Sequence, residues 1–287
     1  MSLSVALRVR GILLGNMTGI WVASNAGLMA IAVPPSLFLN PAAVPFTSGR
    51  LQLFNLPHQD VWLQVNSFNA MSRATPVTLW ATYYSIHRAQ AVANGQPLLD
   101  LRGQPLGPRL SRKDWCHAAL QGTVQILEPG GRTSVYNFAG RGNTPQTDCS
   151  LFFSSLSSST LERVNRVRFA LAKNSYGQGT DGYRLVPYRT IAVDRTRIPI
   201  GSVIYIPEAR GKVVTWPSGD RVIHDGFFFA ADVGSGIQGN HIDIFIGTSM
   251  QNPFPFITSR STGTFRAFLI QDADIRQALF ALHRSGR

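Results

Sequence analysis

Hydrophobic and polar positions in this chain alternate in short bursts, bounded by glycine and proline, instead of running at helical spacing. The segment Val77-Thr-Leu-Trp-Ala-Thr-Tyr-Tyr84 reads as a first strand. Thr190–Val193, Val203–Ile206, Lys212–Thr215, Phe227–Ala231 and Ile242–Ile246 follow as short apolar runs, and Phe265–Ile270 reads as an edge strand. Gly122–Leu127 and Thr133–Phe138 flank Glu128-Pro-Gly-Gly-Arg132, the signature of a hairpin. Helical spacing is confined to three places. Ser111–Leu120 starts on an N-cap serine with Asp114 three residues on, Leu161–Leu171 places Val164, Val167 and Leu171 on one side, and Asp274–His283 groups Ile275, Leu279 and Leu282. Leu98–Gly107 reads as turns, and the serine-rich run Ser154–Thr160 as an exposed loop. Many short strands with glycine corners, and few helices, predict a mainly β fold whose sheet closes, fully or partly, into a barrel.

Length and composition refine this picture. A chain of 287 residues with 44% hydrophobic and only 15% charged residues is long enough for one or two cored domains. Residues 1–32 read as an export signal or weak anchor: Arg8 and Arg10 precede apolar stretches, and Ala30-Ile-Ala32 resembles a cleavage site. Asn16, Thr18, Ser24 and Asn25 interrupt that apolar character. Residues 33–75, rich in Pro, Asn and Phe, read as an irregular arm; 76–250 carry the barrel with inserted loops and helices; 251–287 supply a last strand and helix. The net charge of +12 draws such a chain toward polyanions. Its arginines are scattered and no zinc-finger, helix-turn-helix or RNA-binding signature is present, which favours an anionic wall or envelope surface over nucleic acid. Cys116 and Cys149 read as one disulfide in an oxidising compartment or as two buried thiols, and no CxxC or HxxxH spacing suggests a metal site.

The densest chemistry lies in Asp232-Val-Gly-Ser-Gly-Ile-Gln-Gly-Asn-His-Ile-Asp243. Two carboxylates stand at the ends of the apolar runs Phe227–Ala231 and Ile242–Ile246, and Gly234, Gly236 and Gly239 between them permit a tight turn and close backbone approach. Asp194 ends a similar run ahead of the turn Ile198-Pro-Ile-Gly201. Burying strand-end carboxylates is costly, so the three form a candidate cleft; the alternative is that they cap turns or pair with Arg195 and Arg197. His241 shares a strand face with Asp243, being two residues away. Arg189 either reaches the groove or snorkels. Trp80 and Trp216 are aromatic platforms for sugars or half-buried core rings.

Pro187–Pro207 and Asp225–Gly247, with the pattern I-A-V-D-x-x-x-I-P-x-G-S followed by A-x-D-V-G-x-x-I-x-G-x-x-x-D-I-F-x-G, resemble the three-aspartate (3D) domain shared by the membrane-bound lytic transglycosylase A family and by wall-remodelling proteins of spore formers. The resemblance spans roughly Val77–Gly247 and implies a six-stranded double-psi β-barrel with Asp194, Asp232 and Asp243 in one groove. It implies that Asp243 is the acid/base and that Thr82 and Tyr83 line the groove; Arg189, Gly234, Gly236, Gly239 and His241 are further groove candidates read from the strands and the turn, the alternative for His241 being a satisfied surface histidine. Gly234-Ser-Gly236 departs from the family's Gly-Gly-Ala, and no second, substrate-clamping domain is legible in the sequence. The implied activity is cleavage of peptidoglycan glycan strands in the bacterial envelope, without cofactor, in a periplasmic, secreted or peripherally membrane-associated protein. A hydrolase with paired aspartates and a non-catalytic wall-binding barrel are the competing readings.

Overall fold

The structure is a computed structural model and describes residue 71, residues 73–216 and residues 218–284. The export signal expected over 1–32, and the arm over 33–75 save for its last few residues, lie outside the described residues.

Six strands close a barrel in the order β1, β13, β8, β12, β9, β14: Thr75–Tyr84, His241–Phe245, Thr190–Val193, Phe227–Asp232, Val203–Tyr205 and Phe265–Ile270. Two neighbouring pairs, β1–β13 and β8–β12, are parallel and the other four antiparallel. The fold is thus mainly β around a closed six-stranded barrel. Alternate residues fill the interior: Leu79 and Ala81 of β1, Ile191 and Val193 of β8, and Ile242 and Ile244 of β13 belong to one buried cluster. Their strand neighbours face outward. β14 is not an edge strand. It pairs with both β1 and β9 and closes the barrel, so each stave finds partners on both sides.

Helix α3 (Ala273–His283) packs Ile275, Leu279 and Leu282 against the outward Val203, Phe227 and Phe229. Asp272 caps it by accepting the Ile275 N–H at 3.0 Å. Its last residue, His283, is buried between Leu279 O and Thr190 Oγ1, and burial holds its pKa down at about 3. The ring is therefore neutral and structural.

Between β1 and β8 the chain builds a separate sheet with its own core. Strands β2 (His87–Gln90), β5 (Thr123–Leu127), β6 (Thr133–Arg141) and β7 (Val167–Leu171) pair in that order, and β3 (Gln96–Leu99) and β4 (Pro105–Leu110) form a hairpin beside them. Helices α1 (Arg112–Gln121) and α2 (Ser158–Asn165) accompany the sheet. Leu98, Leu110, Trp115, Ile126 and Phe169 are fully buried in this second core. Cys116 of α1 and Cys149 are joined by a disulfide within it. Strands β10 (Val213–Thr215) and β11 (Arg221–Ile223) form a ribbon of their own.

Three local readings change. The helical spacing over 161–171 is realised only as far as Asn165. Val167–Leu171 is a strand instead, because pairing with β6 and burial of Val167 and Phe169 override i,i+3 spacing in a β-branched and aromatic segment. The serine run is only partly loop: Ser157 caps α2 by accepting the Thr160 N–H. The stretch read as turns over 98–107 is mostly the β3–β4 hairpin. Among the described residues no helix is long and apolar enough to cross a membrane.

Candidate active site

The site is built on the outer face of the barrel. Cross-strand register sets Thr82 of β1 opposite Asp243 of β13, Asp243 opposite Ala192 of β8, and Ala192 opposite Asp232 of β12. Residues in register share a face, so these four stand in one row. Two strand spacings separate the aspartate Cα atoms, about 10 Å, and the residue between them is reduced to a methyl group.

Asp232 joins the row because of a bulge. By simple alternation it would follow Phe228 and Ala230 into the apolar interior. The register shifts between Ala230 and Asp232, and the extra residue turns Asp232 outward beside Ala192. A turn crosses over it. Gly179 approaches so closely that a Cβ there would lie 2.3 Å from Ala231 O. The Thr180 N–H bonds Asp232 from that turn.

The outward residues of β1 serve this row in sequence. Trp80 stacks on the His241 ring, with centroids 3.6 Å apart and planes 6° from parallel. Thr82 Oγ1 donates to Asp243 Oδ1 at 2.6 Å and lies 2.8 Å from His241 Nε2. Tyr84 Oη donates to Asp232 Oδ2 at 2.7 Å. The Val233 N–H donates to Asp232 Oδ1 at 2.8 Å.

Half-burial against the barrel wall dominates the electrostatics. It raises Asp243 to a pKa of about 7, against the pull of the Thr82 hydroxyl and with a further push from the Asp232 charge. It raises Asp232 to about 6, although Tyr84, Val233 and Thr180 all donate to its charged form. The Tyr84 phenol is pushed well above its ordinary value by burial and by the Asp232 charge. Burial also lowers His241, which is therefore neutral near pH 7.

The third aspartate behaves differently. Asp194 follows β8 and accepts from Thr196 N–H at 3.0 Å, Thr196 Oγ1 at 2.7 Å and Gly239 N–H at 2.8 Å. These bonds hold its carboxyl below the usual range. It caps a turn, one of the two readings open for it, and at the same time anchors the loop from Val233 to Asn240. That loop carries the expected glycines. Gly239 takes φ +65°, the Gly236 carbonyl lies 3.4 Å from His241 Nδ1, and Gly236 faces open space.

Two expected groove residues lie elsewhere. Tyr83 is on the opposite face of β1 from Thr82, because neighbours in a strand point to opposite sides; Tyr84 is the tyrosine at the site. Arg189 is 1% exposed and bidentate to Asp225, at 2.5 and 2.8 Å, with a further bond to Phe227 O at 2.8 Å. It ties β8 to the start of β12 and does not reach the groove. Trp216 is a core ring, edge-on to Tyr188. Among the described residues no group of three His, Cys, Asp or Glu side chains is arranged to hold a metal ion.

Residues 189–252 match the 3D domain family model, covering β8 through β13 and with them all three aspartates. This segment is a 3D domain. Solved structures with a similar course include those of lytic transglycosylases. MltA of E. coli with bound chitohexaose is 17% identical, the match covering 70% of this chain and 76% of that one at a TM-score of 0.46. The membrane-bound lytic murein transglycosylase of Agrobacterium tumefaciens is 14% identical, covering 72% and 78% at 0.46. LtgG of Burkholderia pseudomallei is 17% identical, covering 68% and 72% at 0.35. No curated protein matches the chain significantly.

Proposed function

We propose that this protein is a peptidoglycan lytic transglycosylase of the bacterial envelope, with Asp243 as its single acid/base. The observation that carries the reading is a half-buried carboxyl group whose pKa stands at about 7, set beside a second one at about 6. A general acid works best when its pKa lies near the working pH, and an ordinary aspartic acid is already ionised there. The 3D domain match over 189–252 supports the assignment to glycan strands.

In this scheme protonated Asp243 gives its proton to the glycosidic oxygen between N-acetylmuramic acid and N-acetylglucosamine. The C–O bond breaks as positive charge builds on the anomeric carbon, and the ionised Asp232 stabilises that charge. Asp243, now a carboxylate, takes the proton from the muramyl C6 hydroxyl, whose oxygen closes the 1,6-anhydro ring. The nucleophile belongs to the substrate and is already placed, so no water is needed. The proton ends where it began. Asp194 acts at one remove by fixing the 233–240 loop, where Gly236 and Gly239 leave the rim open for a sugar chain and Gly234 makes room for Ile237. Cationic side chains scattered over the protein hold it at the anionic wall and at membrane surfaces.

The paired carboxylates favour one second reading, a hydrolase in which Asp232 activates water while Asp243 serves as acid. Mass spectrometry of the fragments released from isolated sacculi separates the two. Anhydromuramyl ends are expected; reducing ends would assign the hydrolase, and binding without any release would assign a wall-binding barrel.

A further inference from the structure

The hydrogen-bond chain around Asp243 can be satisfied in full only when Asp243 is protonated. Thr82 Oγ1 touches both Asp243 Oδ1, at 2.6 Å, and His241 Nε2, at 2.8 Å, yet a threonine hydroxyl carries a single proton. On the far side of the ring, His241 Nδ1 faces Gly236 O at 3.4 Å, and a carbonyl oxygen can only accept.

If Asp243 is protonated, every bond runs one way. Asp243 donates to Thr82, Thr82 donates to Nε2, and Nδ1–H points at the Gly236 carbonyl. If Asp243 is ionised, Thr82 must turn to donate to the carboxylate. Nε2 must then carry the ring proton and donate to Thr82. This leaves a bare Nδ1 lone pair against the Gly236 oxygen, and two acceptors facing each other repel.

We infer that His241 is a positioning residue that favours the protonated state of Asp243, acting through Thr82 and anchored by the Gly236 carbonyl. The inference rests on the reading of Asp243 as the proton-handling group. Trp80 lies flat against the ring and holds it in this plane. Its neutrality fits the role: a cationic ring would donate from both nitrogens and favour the carboxylate instead. The other ionisable groups around it are already engaged. Tyr84 of β1 is bonded to Asp232 of β12, and Asp194 beyond β8 is bonded to Thr196 and Gly239. The proton count closes: when Asp243 releases its proton, the ring exchanges an Nδ1 proton for one at Nε2 through water, so one proton leaves the site. Asp194 also enters the chain here, since its bond to Gly239 holds the loop that presents Gly236.

The test is nuclear magnetic resonance on the intact protein, which needs no turnover. In the wild type, ¹⁵N shifts of His241 should report Nδ1–H below the Asp243 titration and Nε2–H above it. The ¹³C carboxyl titration of Asp243 should fall by about one pH unit in His241→Phe, which keeps a ring against Trp80 but has no nitrogen. In a Thr82→Val background the same His241→Phe change should produce no further shift. The same tautomer on both sides of the titration would overturn the inference, as would an Asp243 titration unmoved by His241→Phe. A histidine that merely packs would lower the melting temperature and leave both signals in place. Failure of the functional reading would be seen separately, as sacculi left undigested by a protein whose titrations behave as described.

Discussion

The behaviour of single side chains here follows from parity along β1. Trp80, Thr82 and Tyr84 point outward and meet His241, Asp243 and Asp232 in turn. The carboxylates were legible in the sequence as strand-end acids beside glycines. The sequence reading names Tyr83 in place of Tyr84, although period-two alternation from Thr82 selects Tyr84. What the sequence could not show is the division of labour, in which Asp194 bonds a loop while Asp232 and Asp243 resist ionisation. That depends on how far the fold buries each carboxylate: Asp232 and Asp243 lie against the barrel wall, whereas Asp194 is solvated and held by Thr196 and Gly239. Because burial raises the Asp243 pKa from 3.8 to about 7, its contribution to stability is fully present below about pH 4 and is lost as pH rises through 7. Asp243→Asn should therefore be more stable than the wild type at pH 8, by on the order of 2–4 kcal/mol after allowing for solvent on its open side, and should match the wild type at pH 3. Calorimetry at the two pH values checks this. An equal effect at both would mean that the carboxyl is not destabilised by burial. The wild-type kcat/KM should fall with a limb near pH 7, as the acid form of Asp243 is lost.

At the level of elements, the apolar runs of the barrel were readable because each is short, β-branched or aromatic, and bounded by turn residues. Two features were not. The strand at 167–171 carries helical spacing by coincidence, and only its pairing with β6 decides the matter. The β12 bulge has no signature of its own, since Ala230-Ala231-Asp232 reads as an ordinary strand end, yet it alone brings Asp232 to the site. The bulge and the turn above it are tightly fitted. A methyl at Gly179 would meet the Ala231 carbonyl, which is backbone and cannot rotate aside. Gly179→Ala should cost about 1–3 kcal/mol in a denaturant titration and, by lifting the Thr180 N–H off Asp232, should also reduce turnover. Retained activity with unchanged stability would show that the turn adapts freely.

Over the whole molecule, the barrel and the inserted sheet each have a core of their own. The insert was legible only in pieces, as a hairpin and a capped helix, because its parallel β2–β5 pair joins segments far apart in the chain. The Cys116–Cys149 disulfide, spanning 33 residues, lies wholly within it. Removing it by Cys116→Ala and Cys149→Ala together should destabilise the protein by about 2–4 kcal/mol while the Asp232 and Asp243 titrations stay in place, because neither cysteine contributes to the barrel. With 27 Lys and Arg against 15 Asp and Glu, attachment to anionic wall polymer should weaken as salt rises through the physiological range, which a sacculus pull-down at graded ionic strength would show.

The account turns on one carboxyl group performing both proton transfers. Digestion of sacculi by the wild type, Asp243→Asn and Asp232→Asn, with anhydromuropeptides counted by mass spectrometry, tests it most directly. Release should vanish in Asp243→Asn, by about three orders of magnitude or more, and be reduced but measurable in Asp232→Asn. Near-normal release by a folded Asp243→Asn protein would contradict it.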